Sequence, residues 1–199
     1  MLSSILTTLS ERRYKTFLRP FELNIVGIRS NSTIPNSFDD SINIFFKNNQ
    51  GIWVFQSFKA TTDPGTYWLK NPLNPQGTAI LKEGQYISSH AIGLHRGKYP
   101  ALVQVRPVTV IRDYDRNAFL DFMNGKEDTG LFGINIHHAS EEGTTKTVDK
   151  YSAGCQVFAD INDFNSFMQL CKPHEQLYGN GFTYTLLDQR AVDRNAKKK

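Results

Sequence analysis

Short strand-like runs separated by turn residues constrain this chain more than any other feature of its sequence. The runs are rich in β-branched and aromatic residues, and they span 21–28, 42–46, 52–58, 101–111, 132–137, 154–159 and 182–187. Gly, Pro and Asn mark turns between them, for example at 48–51, 63–65 and 180–181. This pattern predicts a mostly β fold, arranged as a sandwich or a barrel. Residues 59–100 are rich in Gly and Pro, so we expect a loop-rich segment there.

Apolar residues at helical spacing predict two helices. The first covers residues 2–17, before Pro20, and places Leu2, Ile5, Leu6 and Leu9 on one face. The second follows an N-cap at Asp160 or Asn162 and is expected to end at Lys172-Pro173. We therefore expect three segments: an N-terminal amphipathic appendage (1–19), one main domain (20–190) and a disordered basic tail (191–199).

Charge and composition narrow the possible partners. The net charge is +4, part of it from the terminal lysines 197–199, and no basic stripe is interleaved with aromatic residues, so nucleic acid is not an expected partner. No stretch has the ~20 apolar residues that a membrane span needs. At the N-terminus Arg12 and Arg13 follow the apolar stretch, the reverse of a secretory signal, so we expect no signal peptide.

The residue types that carry chemistry are concentrated in two segments. In residues 133–138 the strand alternation places Asn135 and His137 on the polar face, and Gly154-Cys155 follows after a long loop. A Cys and a His can form a nucleophile and its base. Gly154 permits a tight turn that can aim backbone N–H groups at an oxyanion. From spacing alone, two unrelated residues remain the alternative.

These segments resemble the L,D-transpeptidase catalytic domain (YkuD family). The family has an Ile-x-Ile-His strand, then a loop, then Ser-His-Gly-Cys. The residues that match here are Ile134, Ile136, His137, Ser152, Gly154 and Cys155. His137 and Cys155 are 18 residues apart, which fits the family spacing. The likeness is specific over residues 130–172, plausible over 40–130, and absent from the N-terminal helix.

The resemblance implies a β-sandwich-like catalytic fold with one or two short helices, and a cysteine enzyme that acts on peptidoglycan stem peptides without a cofactor. Cys155 would attack the carbonyl of a diamino-acid residue and expel D-Ala, leaving a thioester that an amine or water resolves. His137 would be the base, oriented by the backbone carbonyl of His138. We expect substrate contacts from Ser152, Gln156 and Asn135, and a lowered thiol pKa at Cys155 beside an imidazolium.

Two departures from the family keep other functions open. Ala153 stands where the family has His, and Val157 stands where it has Arg or Asn. The first alternative is a catalytically degenerate module that binds cell wall or builds a virion, and the second is a zinc hydrolase. Without a signal peptide, the enzyme would reach the wall by a nonstandard export route, or in a bacteriophage virion or at host lysis. In a virion, other virion proteins would be partners.

The remaining polar residues have simpler interpretations. His90 and His95 are expected to be solvated or structural, with a place in the lining of the cleft as the alternative. Cys171 is expected to be a buried residue on a helix face. A weak calcium-loop pattern stands at Asp113, Asp115, Asn117 and Asp121. It lacks the Gly and the final Glu of a calcium loop, so the alternative is a polar turn.

Overall fold

The computed structural model, which describes residues 1–197, contains eleven strands and four helices. The strands are β1 (Asn24–Arg29), β2 (Asp40–Lys47), β3 (Trp53–Thr61), β4 (Thr78–Leu81), β5 (Gly84–His95), β6 (Tyr99–Gln104), β7 (Val108–Asp113), β8 (Lys126–Gly130), β9 (Ile136–His138), β10 (Gln156–Phe158) and β11 (Phe182–Asp188). The helices are α1 (Leu2–Glu11), α2 (Thr66–Lys70), α3 (Ile161–Tyr178) and α4 (Gln189–Ala196).

Eight of the strands close into a barrel in the order β1-β11-β5-β6-β9-β10-β3-β2. The neighbours are antiparallel except for two parallel pairs, β1 with β11 and β9 with β10. The other three strands form a separate sheet in the order β4-β7-β8. The prediction of a mostly β fold is confirmed, but the main sheet closes on itself and does not form a two-sheet sandwich. Closure pairs every strand of the barrel on both sides, so the barrel has no edge strand.

Large apolar side chains fill the barrel and continue onto α3. The rings of Phe58, Phe158 and Phe167 lie 5.0–6.4 Å apart between centroids, in tilted and edge-on arrangements that favour aromatic packing. Cys171 lies on the same buried face of α3 and is fully buried, as the sequence predicted. The core therefore ties the helix that follows β10 directly to the strands.

Helices α1 and α4 pack together and cover the outer surface of β1, β2 and β11. Ile5 and Leu9 of α1 meet Val192 of α4 and the outward-facing side chains of these strands. Asn195 donates from Nδ2 to Thr8 Oγ1 at 3.0 Å and joins the two helices directly. As a result β1 is buried along its whole length, on both faces.

The helices differ from the predictions in four respects. α1 ends at Glu11, not near residue 17, and there are four helices where one or two were expected. α3 runs through Pro173 to Tyr178, because buried His174 ties the last turns down: its Nδ1 accepts from the Leu23 N–H at 3.0 Å. The segment predicted to be a disordered tail is helical to Ala196, since its apolar face packs on α1; residues 198–199 lie outside the described residues.

The strand predictions missed three strands and merged two others. The run 101–111 is divided between β6 and β7, which belong to different sheets. Residues 59–100 contain β4, β5 and α2, although their Gly and Pro content predicted loops. β8 is rich in charged residues and carries no apolar alternation, so its pairing with β7 decides its conformation. Within residues 1–197 no helix is long and apolar enough to cross a membrane.

We expect Tyr184→Phe to destabilise the protein by about 1–3 kcal/mol, because it leaves a buried acceptor without a donor. Inside the barrel the Tyr184 hydroxyl donates to Gln156 Oε1 at 2.7 Å. Tyr178→Phe is the matched control, since the Tyr178 hydroxyl donates to Pro20 O at 2.7 Å near the surface, where water can replace it. Urea unfolding of both variants measures the difference, and equal losses would contradict the role of the internal bond.

Candidate functional site

The parallel strands β9 and β10 bring the two predicted site residues onto one surface. His137 lies opposite Val157, and the Gln156 N–H donates to Asn135 O at 2.9 Å, so Cys155 lies level with Asn135. Alternate residues of a strand share a face. Cys155, Asn135 and His137 therefore lie on the outer face of this strand pair, while Ile136 and Phe158 point into the barrel core.

His137 is held in one orientation and one tautomer. Its side chain is 3% exposed, and Nδ1 lies 2.7 Å from the backbone oxygen of His138. Only a protonated Nδ1 can donate to that oxygen, so the ring proton is assigned to Nδ1 and Nε2 keeps its lone pair. Within the described chain Nε2 is buried and has no hydrogen-bond partner. A buried acceptor without a donor is an available base.

A second histidine, His95, lies flat against the first. The two rings are 4.0 Å apart between centroids at an interplanar angle of 25°. His95 Nδ1 lies 3.1 Å from Asn135 Nδ2, and Asn135 Oδ1 accepts from the Gln104 N–H at 2.9 Å. The Tyr99 hydroxyl also approaches His137 Nδ1, at 3.3 Å. Neither His95 nor Tyr99 was predicted as a site residue, because only the β5–β6 hairpin brings them beside His137.

His90 and His95 were expected to be solvated or structural, and neither is solvated. Both side chains are buried. His90 Nε2 lies 2.8 Å from Ile134 O and Nδ1 lies 2.8 Å from Ser89 Oγ, so His90 supports the strand that leads to His137. His95 belongs to the site itself.

Burial makes the pair neutral. Loss of solvent, with a smaller contribution from His95, lowers the pKa of His137 to about 3. Burial also raises the pKa of the Cys155 thiol, against the opposing effects of the Asn135 N–H and Arg96. The expected low thiol pKa beside an imidazolium was therefore wrong, because desolvation outweighs these favourable interactions. At neutral pH the site holds a thiol and a neutral imidazole.

The turn before Cys155 is shaped by Ser152 and Gly154. The Gly154 N–H donates to Ser152 Oγ at 3.1 Å, and that hydroxyl donates to Cys155 O at 2.8 Å. Gly154 has φ +121°, and a Cβ there would lie 2.3 Å from Ala79 O of β4, so only glycine fits. The Gly154 N–H is thus used inside the turn and does not face an oxyanion. The half-buried Cys155 thiol points to Gly133 O at 3.3 Å.

Two of the three predicted substrate contacts lie inside the protein. Ser152 and Gln156 are 0% exposed. Gln156 Oε1 accepts from Tyr184, and its Nε2 reaches the Thr62 and Gly154 carbonyl oxygens, so the side chain joins the turn to the barrel interior. Asn135 alone is partly exposed on the face of Cys155. The other two side chains position the nucleophile and have no surface to offer a substrate.

Two hollows lie near His137 and Cys155. One, of about 180 Å³, adjoins the Cys155 turn at Ala153 and is lined by Trp68, Phe132 and Arg112 among others. The other, of about 540 Å³, lies between β6 and α3 and is lined by Tyr99 and His138, the residues next to the base. The Tyr99 and His138 rings stack at 4.1 Å and separate this groove from His137. The smaller hollow borders the turn that carries the thiol, and the larger one borders the residues next to the base.

The weak calcium pattern is a series of polar turns. Asp113 Oδ2 accepts from the Asp121 N–H at 3.0 Å, Asp115 Oδ1 accepts from the Asn117 N–H, and Asp121 Oδ1 accepts from the Met123 N–H. Among residues 1–197, no group of three or more His, Cys, Asp or Glu side chains could hold a metal ion. The predicted calcium site is therefore wrong, and its carboxylates accept hydrogen bonds within local turns. The zinc alternative likewise finds no set of metal ligands in this part of the chain.

No family model matches the sequence, and no curated protein or solved structure is similar to the chain. The likeness to the transpeptidase family consequently depends on the residues around His137 and Cys155.

We expect the rate of Cys155 alkylation by iodoacetamide to rise about tenfold per pH unit from pH 6 to 8, because only the thiolate reacts and its fraction is far from saturation. The raised thiol pKa places any plateau above the ordinary value of 9.0. Peptide mass spectrometry separates the two cysteines, and Cys171, fully buried with its pKa strongly raised, should remain unlabelled in the folded protein. A plateau at or below pH 7 would instead reveal a preformed thiolate–imidazolium pair.

Proposed function

We propose that this protein is a cysteine-nucleophile enzyme that acts on peptidoglycan stem peptides, by L,D-transpeptidation or by hydrolysis. One observation carries the proposal. The His137 Nδ1–H bond to His138 O leaves Nε2 unprotonated and without a partner, on the same face of the strand pair as the half-buried Cys155 thiol. A base with a fixed lone pair on the face that carries a thiol is the arrangement that acyl transfer requires.

The first half of the reaction forms a thioester. As Cys155 Sγ attacks the substrate carbonyl carbon, His137 Nε2 takes the thiol proton, because both groups start neutral. The imidazolium formed in this way is stabilised by the carbonyl of His138, to which Nδ1–H still donates. Collapse of the tetrahedral intermediate breaks the C–N bond, and the leaving amine takes the proton from His137. The proton count is balanced without a metal ion or cofactor.

The second half releases the acyl group. An acceptor amine or a water molecule attacks the thioester carbonyl while His137 takes its proton, the S–C bond breaks, and the proton returns to the sulfur. An amine acceptor gives transpeptidation and water gives hydrolysis. The hollows at Ala153 and at Tyr99–His138 are surfaces for the chain on each side of the attacked carbonyl. The stem-peptide substrate follows from the resemblance of the motif residues.

The alternative of a non-catalytic module that binds cell wall or belongs to a virion is also supported by an observation. The Cys155 thiol donates to Gly133 O and has a raised pKa, so its resting state is unreactive. In this case the surface around Tyr99 and His138 would bind wall fragments without cleaving them. Delivery in a virion or at host lysis, with other virion proteins as partners, belongs equally to both proposals.

We expect Cys155→Ala to abolish processing of purified muropeptides while the fold is retained, because the thioester can no longer form. Cys171→Ala is the matched control: it removes the other thiol, which is buried on α3, and should keep activity at 25 °C. His137→Ala should lower turnover by at least about 100-fold, the usual contribution of a general base. Mass spectrometry of the products distinguishes transfer from hydrolysis, and circular dichroism checks folding.

The outcomes separate the candidate functions. Wild-type turnover in Cys155→Ala would exclude Cys155 as the nucleophile. No turnover by the wild type, together with sedimentation of the protein with insoluble peptidoglycan, would favour the binding module. Activity lost on EDTA treatment and restored by zinc would favour the hydrolase.

A further inference from the structure

The tip of the β5–β6 hairpin lies directly beside the base. His95 and Tyr99 pair across the hairpin, and the Lys98 N–H closes the turn on His95 O at 2.9 Å. Both paired residues contact His137, His95 through its ring at 4.0 Å and Tyr99 through its hydroxyl at 3.3 Å. Arg96 is therefore attached to a residue that touches the base.

Arg96 combines exposure, a fixed turn conformation and an uncompensated charge. It is exposed, and within residues 1–197 it makes no ion pair and no hydrogen bond, although this chain pairs several of its other arginines with carboxylates. Its φ of +49°, followed by +72° at Gly97, is the geometry that a tight hairpin turn requires, and it fixes the backbone from which the Arg96 side chain projects.

The charge of Arg96 reaches the reacting sulfur. Burial is the main cause of the shifts in this site, and Arg96 acts in addition to it, lowering the pKa of Cys155 and of His95. A cation that favours the thiolate also favours any anion close to that sulfur. Lys98, two residues along the same turn, acts on the pKa of neither group. The two cations of the hairpin tip therefore differ in what they reach.

We propose that Arg96 binds a carboxylate of the substrate next to the bond that Cys155 attacks. The inference rests on the proposed function, because a reaction that expels a C-terminal amino acid has a free α-carboxylate on the leaving residue. That carboxylate is joined through one carbon to the nitrogen of the bond that breaks. A guanidinium offers two parallel N–H donors to a carboxylate, which fixes the orientation of the leaving residue as well as its charge. Arg96 is thus a binding residue that selects a C-terminal residue.

The first test needs no substrate. The rate constants for alkylation of Cys155 by iodoacetate, an anion, and by iodoacetamide, its neutral analogue, are measured at low salt by peptide mass spectrometry. The same thiolate reacts with both reagents, so the ratio of the two rate constants cancels any change in the thiol pKa. Arg96→Gln should lower the iodoacetate-to-iodoacetamide ratio about threefold, the effect expected of one charge several ångströms away in a half-exposed site. Addition of salt should reduce the wild-type ratio as well.

Two variants control the measurement. Lys98→Gln removes the same charge from the same turn and should leave the ratio within about 1.5-fold of wild type, since Lys98 does not reach the sulfur. Arg96→Lys keeps the charge and should retain most of the ratio. An unchanged ratio in Arg96→Gln, or an equal fall in Lys98→Gln, would overturn the proposal. The first result would show that the charge of Arg96 does not attract anions to the Cys155 sulfur. The second would show that any positive charge on this surface has the same effect.

The second test uses stem peptides that end in a free carboxylate or in an amide. Arg96→Gln should raise KM for the acid about tenfold, since a charge-assisted hydrogen-bonded pair is lost, and should leave KM for the amide unchanged. Equal effects on the two peptides would overturn the carboxylate assignment. If the wild type turns over neither peptide, the proposed function fails, and the alkylation ratio still decides whether Arg96 presents an anion site at Cys155.

Discussion

The parallel pairing of β9 with β10 is the constraint on which the whole site depends. Parallel neighbours cannot be joined by a tight turn, so the chain between them must leave the barrel and return. The connecting loop is fixed along its way. Ala139 N–H donates to Phe158 O at 3.0 Å, Thr145 N–H donates to Ala159 O at 2.8 Å, and Val148 is buried against Phe38. An ordered connection therefore places Cys155 beside the strand of His137.

The register of this pair determines its electrostatics. A strand pair inside a closed barrel is flanked by neighbours on both sides, so a polar group placed on it loses water. This loss of water lowers the pKa of His137 and raises the pKa of Cys155, so each group is held in its uncharged form. A neutral pair costs less to bury than an ion pair, and proton transfer from the thiol to the imidazole then has to accompany attack. The same desolvation strengthens the effect of the cation at Arg96, the exposed end of the site.

Small, specific contacts connect the site to the rest of the fold. Gly154 allows the second sheet to approach through Ala79, which brings β4 against the Cys155 turn. Gln156 connects the opposite side of the same turn to Tyr184 within the barrel. The turn is thus fixed from the core and from the second sheet, while the Cys155 thiol at its end is half-buried. Rigid support of a reactive group with one open side is what a positioned nucleophile needs.

By itself the sequence determined the mostly β class, the apolar face of α3, and the strand alternation that places His137 opposite the core side chains, because these depend on neighbours along the chain. It did not determine the barrel closure, the continuation of α3 past Pro173 or the helix α4, where packing outweighs local preference. It predicted His137 and Cys155 but not His95, Tyr99 or Arg96. Those three come from the β5–β6 hairpin, about forty residues before His137, and only strand pairing around the barrel brings them together. The tertiary structure also decided the protonation states, since desolvation is a property of burial and cannot be deduced from residue types alone.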